Sequence, residues 1–249
     1  MISKNLLKII RSLEQKKYRR EEGLFVAEGP KVVGDLMETM RPKVIIGTEE
    51  YFRGTKCEVV TPDELRRISF LQHPQQVLAL FPLPTDSSVP SPTGQLTLVL
   101  DGVQDPGNVG TIIRIADWYG IENIVCSRDT ADAYAPKVVQ ATMGSIARVH
   151  IIYTDLLEWF DSLPADTPVY GTLLDGKNIY QQSLVTSGAV IVMGNEGNGI
   201  SPAVRSRITN ALRIPNFPEG RATADSLNVA IATAITGVGG VAESFYDEP

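Results

Sequence analysis

The stretch that decides the fold is Leu96-Thr-Leu-Val-Leu-Asp-Gly-Val-Gln-Asp-Pro-Gly-Asn-Val-Gly-Thr-Ile-Ile-Arg-Ile-Ala-Asp-Trp-Tyr119. Its first five residues are a short apolar run, which predicts a buried strand, and a loop rich in Gly and Asp follows them. The remainder places apolar residues at the i, i+3, i+4, i+7 spacing of a helix face packed on a core: Ile112, Ile115, Ala116 and Tyr119. The sequence therefore predicts a strand, a loop and a helix, in that order.

The same succession recurs through the second half of the chain. Six apolar runs predict strands, and helical stretches separate most of them; the runs lie at residues 96–100, 123–126, 148–153, 169–174, 189–193 and 211–214. Short apolar runs that alternate with helices are typical of a parallel sheet buried on both faces. In such a sheet ligands bind at the carboxyl ends of the strands, near a switch in strand order.

Residues 84–95 divide the chain into two parts. Three Pro and three Ser in this segment leave too little apolar surface to pack a core, which predicts a linker. The part before it predicts a small α/β domain, with one helix opened by the N-cap and first-turn pair Thr61-Pro62. The expected organisation is a small domain over 1–83, a linker over 84–95 and a larger domain over 96–249.

The composition is that of a globular protein and excludes several classes. Of the 249 residues 43% are hydrophobic and 21% charged, which argues against disorder along the whole chain. With 2 Cys and 2 His, a disulfide scaffold and a Cys₄ zinc site are excluded, and no metal is expected. The start of the chain alternates apolar and basic residues, and the longest apolar tract, 227–242, is too short to span a bilayer. A soluble cytoplasmic protein is therefore expected.

Basic residues are concentrated at the start of the chain. The net charge of −6 argues weakly against a nucleic-acid partner, yet within residues 1–20 only Glu14 is acidic. The cations of this arm are Lys4, Lys8, Arg11, Lys16, Lys17, Arg19 and Arg20. Because screening makes the field of a charge local, the arm can contact phosphate, or it can be the solvated face of a helix. Composition leaves both interpretations open.

The loop at residues 101–110 has features of a ligand-binding loop. Gly107 and Gly110 let the backbone approach a ligand, and the helix start beyond them offers free N–H groups and a positive dipole. Arg114 lies off the apolar helix face and toward the loop; the alternative is a surface residue paired with Asp117 at i+3. The spacing fits neither a Walker loop nor G-x-G-x-x-G.

Two further loops follow later strands. The loop Met193-Gly-Asn-Glu-Gly-Asn-Gly-Ile-Ser-Pro202 contains Glu196, a costly place for a charge without partners, unless the loop is only a tight turn with a solvated Glu. The third loop, residues 214–225, leads into a helix that Asp225 or Ser226 can cap, and a plain cap is one interpretation of Ser226. Asn228 needs a hydrogen-bond partner if it is buried.

Taken together and in this order, the three loops resemble a known family. Asn108-x-Gly110-x₃-Arg114 resembles the first motif of SpoU-type (TrmH-like) RNA 2′-O-ribose methyltransferases of the SPOUT superfamily. Gly194-Asn-Glu-Gly-x-Gly199 resembles the second, and Ile214-Pro followed by Ser226-Leu-Asn-Val-Ala230 resembles the third. Phe25-Val-Ala-Glu-Gly29 makes the front part similar to the family's small ribosomal-protein-like substrate-binding domain. One departure is a longer loop over residues 216–225, which puts the edge of the cofactor pocket in question.

The resemblance implies a fold, an activity and a set of site residues. The fold is α/β, with a mostly parallel sheet, helices on both faces and a C-terminal trefoil knot, preceded by the small α/β domain. Such enzymes act as homodimers and transfer a methyl group from S-adenosylmethionine to a ribose 2′-hydroxyl in rRNA or tRNA; the front domain favours rRNA by analogy. The implied cofactor residues are Leu173, Gly194, Asn195, Gly197, Ile214 and Leu227. The implied catalytic or substrate-side residues are Asn108, Arg114, Glu196, Ser226 and Asn228.

The family's candidate for activating the ribose hydroxyl is Arg114. Because the pKa of Arg exceeds about 12, it is a poor general base. The working hypothesis is that Arg114 holds the adjacent phosphate and polarises the oxygen, while Asn108 fixes its guanidinium. With an RNA substrate, the basic arm becomes an RNA-contacting segment. Two alternatives stay open: an RNA-binding member that has lost catalysis, and a nucleotide-binding metabolic enzyme that uses the Gly-rich loops for phosphate.

Overall fold

Two larger sheets and a two-stranded one form in the part of the chain that the computed structural model describes, residues 2–85, 91–185, 187–218 and 221–246. Contacts divide the chain into two units. The first comprises Met1–Asp86 and Asp132–Arg148, and the second comprises Ser87–Ala131 and Val149–Pro249. In the described ranges, no helix has both the length and the apolar character needed to cross a membrane.

The first unit is built on a four-stranded sheet. In chain order its elements up to residue 82 are α1 (Lys4–Ser12), α2 (Lys16–Glu22), β1 (Leu24–Glu28), α3 (Pro30–Thr39), β2 (Val44–Gly47), β3 (Tyr51–Phe52), β4 (Thr55–Lys56), β5 (Glu58–Val59), α4 (Pro62–Ile68) and β6 (Val77–Pro82). The strand order is β1-β6-β2-β5, with β6 antiparallel to both neighbours. The predicted cap at Thr61 is confirmed: its hydroxyl accepts from Glu64 N at 3.2 Å and Glu64 Oε2 accepts from Thr61 N at 3.0 Å.

The second unit is built on a six-stranded sheet. From residue 97 the elements are β7 (Thr97–Asp101), α5 (Pro106–Trp118), β8 (Asn123–Cys126), α6 (Pro136–Ala141), β9 (His150–Tyr153), α7 (Leu156–Asp161), β10 (Val169–Asn178), β11 (Val190–Gly194), α8 (Pro202–Arg205), β12 (Asn210–Arg213) and α9 (Val229–Tyr246). The order is β12-β10-β11-β7-β8-β9, and every neighbouring pair is parallel. All six predicted strands form, and the predicted α/β class with a parallel sheet is confirmed.

One segment of the expected larger domain packs elsewhere. Asp132–Arg148, which contains α6, belongs to the first unit, where Tyr134 lies against Phe25 with ring centres 5.1 Å apart. Continuity of the chain alone predicts this segment within 96–249.

Arg19 corrects one prediction for the basic arm. Its side chain is only 3% exposed, and it donates to Leu13 O and Glu14 O, each at 2.7 Å, and to Asp132 Oδ2 at 2.6 Å. A buried guanidinium needs such partners, since an unpaired buried charge is costly. Arg19 therefore holds α2 and the segment at Asp132 together and is not available to RNA.

Candidate active site

The three glycine-bearing loops leave the sheet at its carboxyl edge. The first follows β7, the second follows β11, and these two strands are neighbours. From β7 the chain runs outward through β8 and β9, then returns on the other side of β7 through β10 and β11. The two loops therefore flank the switch in strand order, which is where parallel sheets bind ligands.

Glu196 in the second loop holds the first loop. Its Oε1 accepts from Asp105 N at 3.0 Å and from Asn108 Nδ2 at 2.9 Å, and its Oε2 accepts from Gln104 N at 3.1 Å. The alternative of a solvated Glu in a plain turn is thus wrong for this structure. Burial raises the pKa of Glu196, but the hydrogen bonds from the Asn108 amide and the Gln104 and Asp105 backbone outweigh it and leave the pKa lowered. The side chain is therefore a charged brace between two loops.

Asn108 extends this brace to the third motif. Its own N–H donates to the N-cap carboxylate of Asp105 at 2.9 Å, which starts α5. Its Oδ1 accepts from Asn228 Nδ2 at 2.9 Å. A single hydrogen-bonded chain, Glu196–Asn108–Asn228, thereby joins three motifs that are far apart in sequence.

Asn228 is also the cap of the last helix. Its Oδ1 accepts from Ala230 N at 2.9 Å and from Ile231 N at 3.3 Å. The prediction that Asp225 or Ser226 caps this helix is wrong, because α9 begins at Val229 and the cap must immediately precede it. Asn228 is exposed. Its amide oxygen accepts hydrogen bonds from the start of the helix, and its amide nitrogen donates one to Asn108.

The second loop is closed on itself and tied to the first. Asn195 N donates to Gly199 O and Gly199 N to Asn195 O, each at 2.9 Å. The Asn195 side chain donates to Gly102 O at 2.7 Å and accepts from Gly197 N at 2.9 Å. At Gly194 any Cβ would overlap the backbone of Gly199, so this close crossing requires glycine.

A fourth loop, after β8, was missed by the sequence analysis. Ser127 Oγ accepts from Gly102 N at 2.9 Å and donates to Asp129 Oδ1 at 2.5 Å. Gly102 has φ +73° and lies beside the Asp129 carboxylate. The sequence signal for these residues is only their position after the strand at 123–126.

Arg114 and Ser226 take no part in the hydrogen-bonded chain Glu196–Asn108–Asn228. Arg114 is exposed and, among the residues described, makes neither an ion pair nor a side-chain hydrogen bond. The alternative, a pairing of Arg114 with Asp117, is not among the described contacts. The described contacts include no hydrogen bond between Asn108 and the guanidinium; Glu196 and Asn228 each engage one end of the Asn108 amide. Ser226 is exposed in the segment that precedes α9.

The predicted cofactor residues lie within or directly after three neighbouring strands, except Leu227, which lies just before α9. The pairing of β10 with β12 skips from Thr172 to Lys177, and within this skip Leu173 is half-buried against the core. Ile214, directly after β12, is half-buried, and Leu227 is 51% exposed. The site therefore offers accessible apolar side chains beside irregular backbone. A cavity of about 250 Å³ in this unit, which Tyr170, Lys177 and Asn210 help to line, contains none of these residues.

Comparison with known proteins gives consistent matches to both parts of the chain. The model of the SpoU rRNA Methylase family matches residues 95–237, and that of the MRM3-like substrate binding domain matches residues 4–79. The 23S rRNA (guanosine(2553)-2′-O)-methyltransferase RlmP of Bacillus subtilis is 30% identical over 233 residues, covering 90% of this chain and 91% of that protein.

Solved structures give the same result over nearly the whole chain. A TrmH-family protein from Porphyromonas gingivalis has a TM-score of 0.85 and 40% identity, covering 98% of this chain and 99% of the other. The AdoMet-bound rRNA methyltransferase of Sinorhizobium meliloti has a TM-score of 0.83 and 30% identity, covering 96% and 95%.

Proposed function

This chain belongs to the SpoU rRNA methylase family, and we propose that its parallel-sheet site methylates the ribose 2′-hydroxyl of a nucleotide in ribosomal RNA. It is an RNA 2′-O-ribose methyltransferase that uses S-adenosylmethionine, as its relatives do. The observation that carries the proposal is the Glu196–Asn108–Asn228 chain, which draws the three family motifs to one edge of the sheet. The relatives named for rRNA favour rRNA over tRNA.

The residues at the strand ends fit this cofactor. An adenosine needs apolar side chains against its ring and backbone groups at its polar edge. Leu173, Ile214 and Leu227 supply accessible apolar surface, and Gly194, Asn195 and Gly197 supply backbone in a loop where Gly194 tolerates no side chain. When bound, the cofactor supplies an already activated methyl group.

The brace positions the groups around the acceptor oxygen. Three residues are positioning residues: Glu196, Asn108 and Asn228. The side chain of each forms hydrogen bonds with another of the three or with backbone. The lowered pKa of Glu196 also makes it a weak base, which argues against proton removal by this side chain. Holding donor and acceptor in line can contribute up to about 7–11 kcal/mol to such a transfer.

Arg114 is the group left to act on the RNA. Its guanidinium is exposed and is not engaged by the described residues, so it is available to a phosphate and to the 2′-oxygen at once. A planar fork of donors suits that bidentate task, and a permanent positive charge stabilises the 2′-oxygen while its proton passes to solvent water. Ser226, exposed ahead of the capped helix, is the second substrate-side residue of this proposal.

We also propose a division of labour between the expected domains. Residues 1–83 bind RNA, 84–95 link, and 96–249, apart from Asp132–Arg148 in the first unit, carry the chemistry. Within the basic arm the cations proposed for RNA are Lys4, Lys8, Arg11, Lys16, Lys17 and Arg20, without Arg19. This predicts that log affinity falls as log salt concentration rises; a flat dependence would contradict it.

Three further properties implied by the family belong to the proposal: a C-terminal trefoil knot, a homodimer and a cytoplasmic location. In support of the dimer, Trp118 at the end of α5 is 84% exposed and Ile231 on α9 is 53% exposed. These two helices pack against each other, so the two exposed apolar groups lie on one helix pair. Sedimentation analysis tests the dimer directly.

The first experiment measures methyl transfer from tritiated S-adenosylmethionine to an unmodified 23S rRNA transcript and to tRNA, with mapping of 2′-O-methyl sites in cells with and without the gene. One site in rRNA that disappears without the gene is expected. No transfer to any RNA, despite cofactor binding by calorimetry, would favour an RNA-binding member without catalysis.

Asn228→Asp tests the brace itself. Asp keeps the oxygen that caps α9 but lacks the N–H₂ that donates to Asn108. We expect an unchanged unfolding midpoint and a turnover about tenfold lower. Asn198→Asp, an amide in the same site that donates no described side-chain hydrogen bond, is the matched control. Full turnover in Asn228→Asp would show that the bridge is dispensable.

Arg114→Lys tests the planar role of the guanidinium. Lys keeps the charge and loses the fork, so we expect a fall in kcat of about a hundredfold with cofactor binding unchanged. Wild-type turnover in this variant would count against bidentate contact.

A further inference from the structure

The first unit exposes a polar loop that the proposed chemistry does not use. Residues 69–76, Ser-Phe-Leu-Gln-His-Pro-Gln-Gln, connect α4 to β6 and are here called the Gln/His loop. The side chains of Gln72, His73, Gln75 and Gln76 are exposed. Each carries hydrogen-bonding groups, and the three Gln side chains carry no charge.

The start of this loop is held by a buried carboxylate. Glu28, at the end of β1, is 6% exposed; it accepts a hydrogen bond from the Ser69 hydroxyl and another from Phe70 N at 2.7 Å. Ser69 Oγ in turn accepts from Leu71 N at 3.0 Å. Burying a carboxylate costs free energy, and here each of its two oxygens accepts a hydrogen bond from the loop.

The end of the loop is held by backbone. Thr48 N donates to Gln76 O at 3.1 Å, and Gly29 N donates to Val77 O at 2.9 Å. Gly29 has φ +89°, and a Cβ there would overlap the Gln75 amide, so the loop lies directly over a glycine. The loop is therefore fixed at both ends while its polar tips face outward.

A row of cations on α1 leads to this loop. Lys4, Lys8 and Arg11 follow one another at i, i+4 and i+7, all exposed, and α1 contains no acidic residue. Arg11 Nη1 donates to Ser69 O at 3.4 Å, and its guanidinium lies 5.7 Å from the centre of the Phe70 ring. The last cation of the row thus contacts the start of the Gln/His loop.

We propose that the Gln/His loop reads unpaired bases of the substrate RNA while Lys4 and Lys8 hold the neighbouring phosphates. Cations on phosphate position an RNA without specifying sequence, whereas amide and imidazole groups can read the edges of splayed bases. A loop fixed before binding loses little entropy when it binds. The inference rests on the proposed function, since it takes rRNA as the substrate.

The test separates the two roles with two double variants. Binding is measured for a 23S rRNA transcript and for polyuridylic acid, over a range of salt concentrations. For Gln72→Ala/His73→Ala we expect affinity for the transcript about tenfold lower, unchanged affinity for polyuridylic acid and an unchanged salt slope. For Lys4→Gln/Lys8→Gln we expect both RNAs to bind more weakly and the salt slope to shrink by about 1.4.

The controls are exposed residues elsewhere: Gln181→Ala in the second unit and Lys43→Gln/Lys56→Gln in the first. The inference is wrong if the loop variant keeps its preference for the transcript, or if its affinity for both RNAs falls equally. It is also wrong if the wild-type chain binds the two RNAs with equal affinity. Methyl transfer by the wild type is scored separately. If the wild type transfers no methyl group, the proposed function is wrong. The difference in RNA binding between the two double variants still decides the role of the loop.

Discussion

Glu28 and Glu196 do the same structural job in the two units by opposite physical means. Each carboxylate accepts hydrogen bonds from the backbone of a distant loop: Glu28 from Phe70, Glu196 from Gln104 and Asp105. Glu28 is buried, and desolvation raises its pKa despite the bonds from Ser69 and Phe70 and the nearby Arg11. Glu196 is exposed, and its hydrogen bonds leave its pKa lowered.

The difference shows what each loop needs. A buried carboxylate that resists ionisation is a structural anchor, and removing it leaves buried donors without partners. An exposed carboxylate with three donors contributes little to stability but fixes where the donors point. We therefore expect substitutions at Glu28 to act on folding and substitutions at Glu196 to act on turnover.

The largest expected effect is on turnover in Glu196→Ala. Without the carboxylate, Asn108 and the first loop lose their common partner, and misplacement of reacting groups by about 1 Å can cost about a hundredfold. We expect kcat to fall by about that factor, with only a small fall in the unfolding midpoint and with RNA affinity unchanged. Glu158→Ala, an exposed Glu on α7, is the control. Equal kcat values for the two variants would break the comparison.

The next effect is on stability in Glu28→Ala. The Ser69 hydroxyl and the Phe70 N–H lose their acceptor in a buried position, which costs about 1–3 kcal/mol. Urea denaturation should show a lower midpoint, while methyl transfer at saturating RNA stays near that of the wild type. The exposed Glu58→Ala on β5 should leave the midpoint unchanged. A stable Glu28→Ala variant would contradict the anchor role.

The smallest effect is a difference in the sign of pH dependence. The lowered pKa of Glu196 adds stability that is fully present above the ordinary Glu pKa and is lost as pH falls through the lowered value. The raised pKa of Glu28 removes stability as pH rises from the ordinary Glu pKa to the raised value. Unfolding midpoints of Glu28→Gln and Glu196→Gln, measured against the wild type from about pH 3 to about pH 8, should drift in opposite directions. Parallel drifts would contradict these assignments.

The sequence predicted the parts of this fold that depend on local pattern. Apolar runs gave the six strands, and the order of three glycine-bearing loops gave the family and the edge of the sheet at which they gather. What it missed depends on partners distant in sequence. Nothing local distinguishes Arg19 from its neighbours in the basic arm, because its burial is decided by Asp132. Likewise Ser226 and Asn228 are both good caps by residue type, and only the start of α9 at Val229 selects between them.

The double use of Asn228 has a consequence for how the enzyme comes into being. Its amide joins the start of α9 to Asn108, so the arrangement at the sheet edge depends on a residue in the last tenth of the chain. A nascent polypeptide that has already emerged through α8 holds two of the three motifs and still lacks the third. Truncation before Asn228 therefore removes the amide that joins the start of α9 to Asn108.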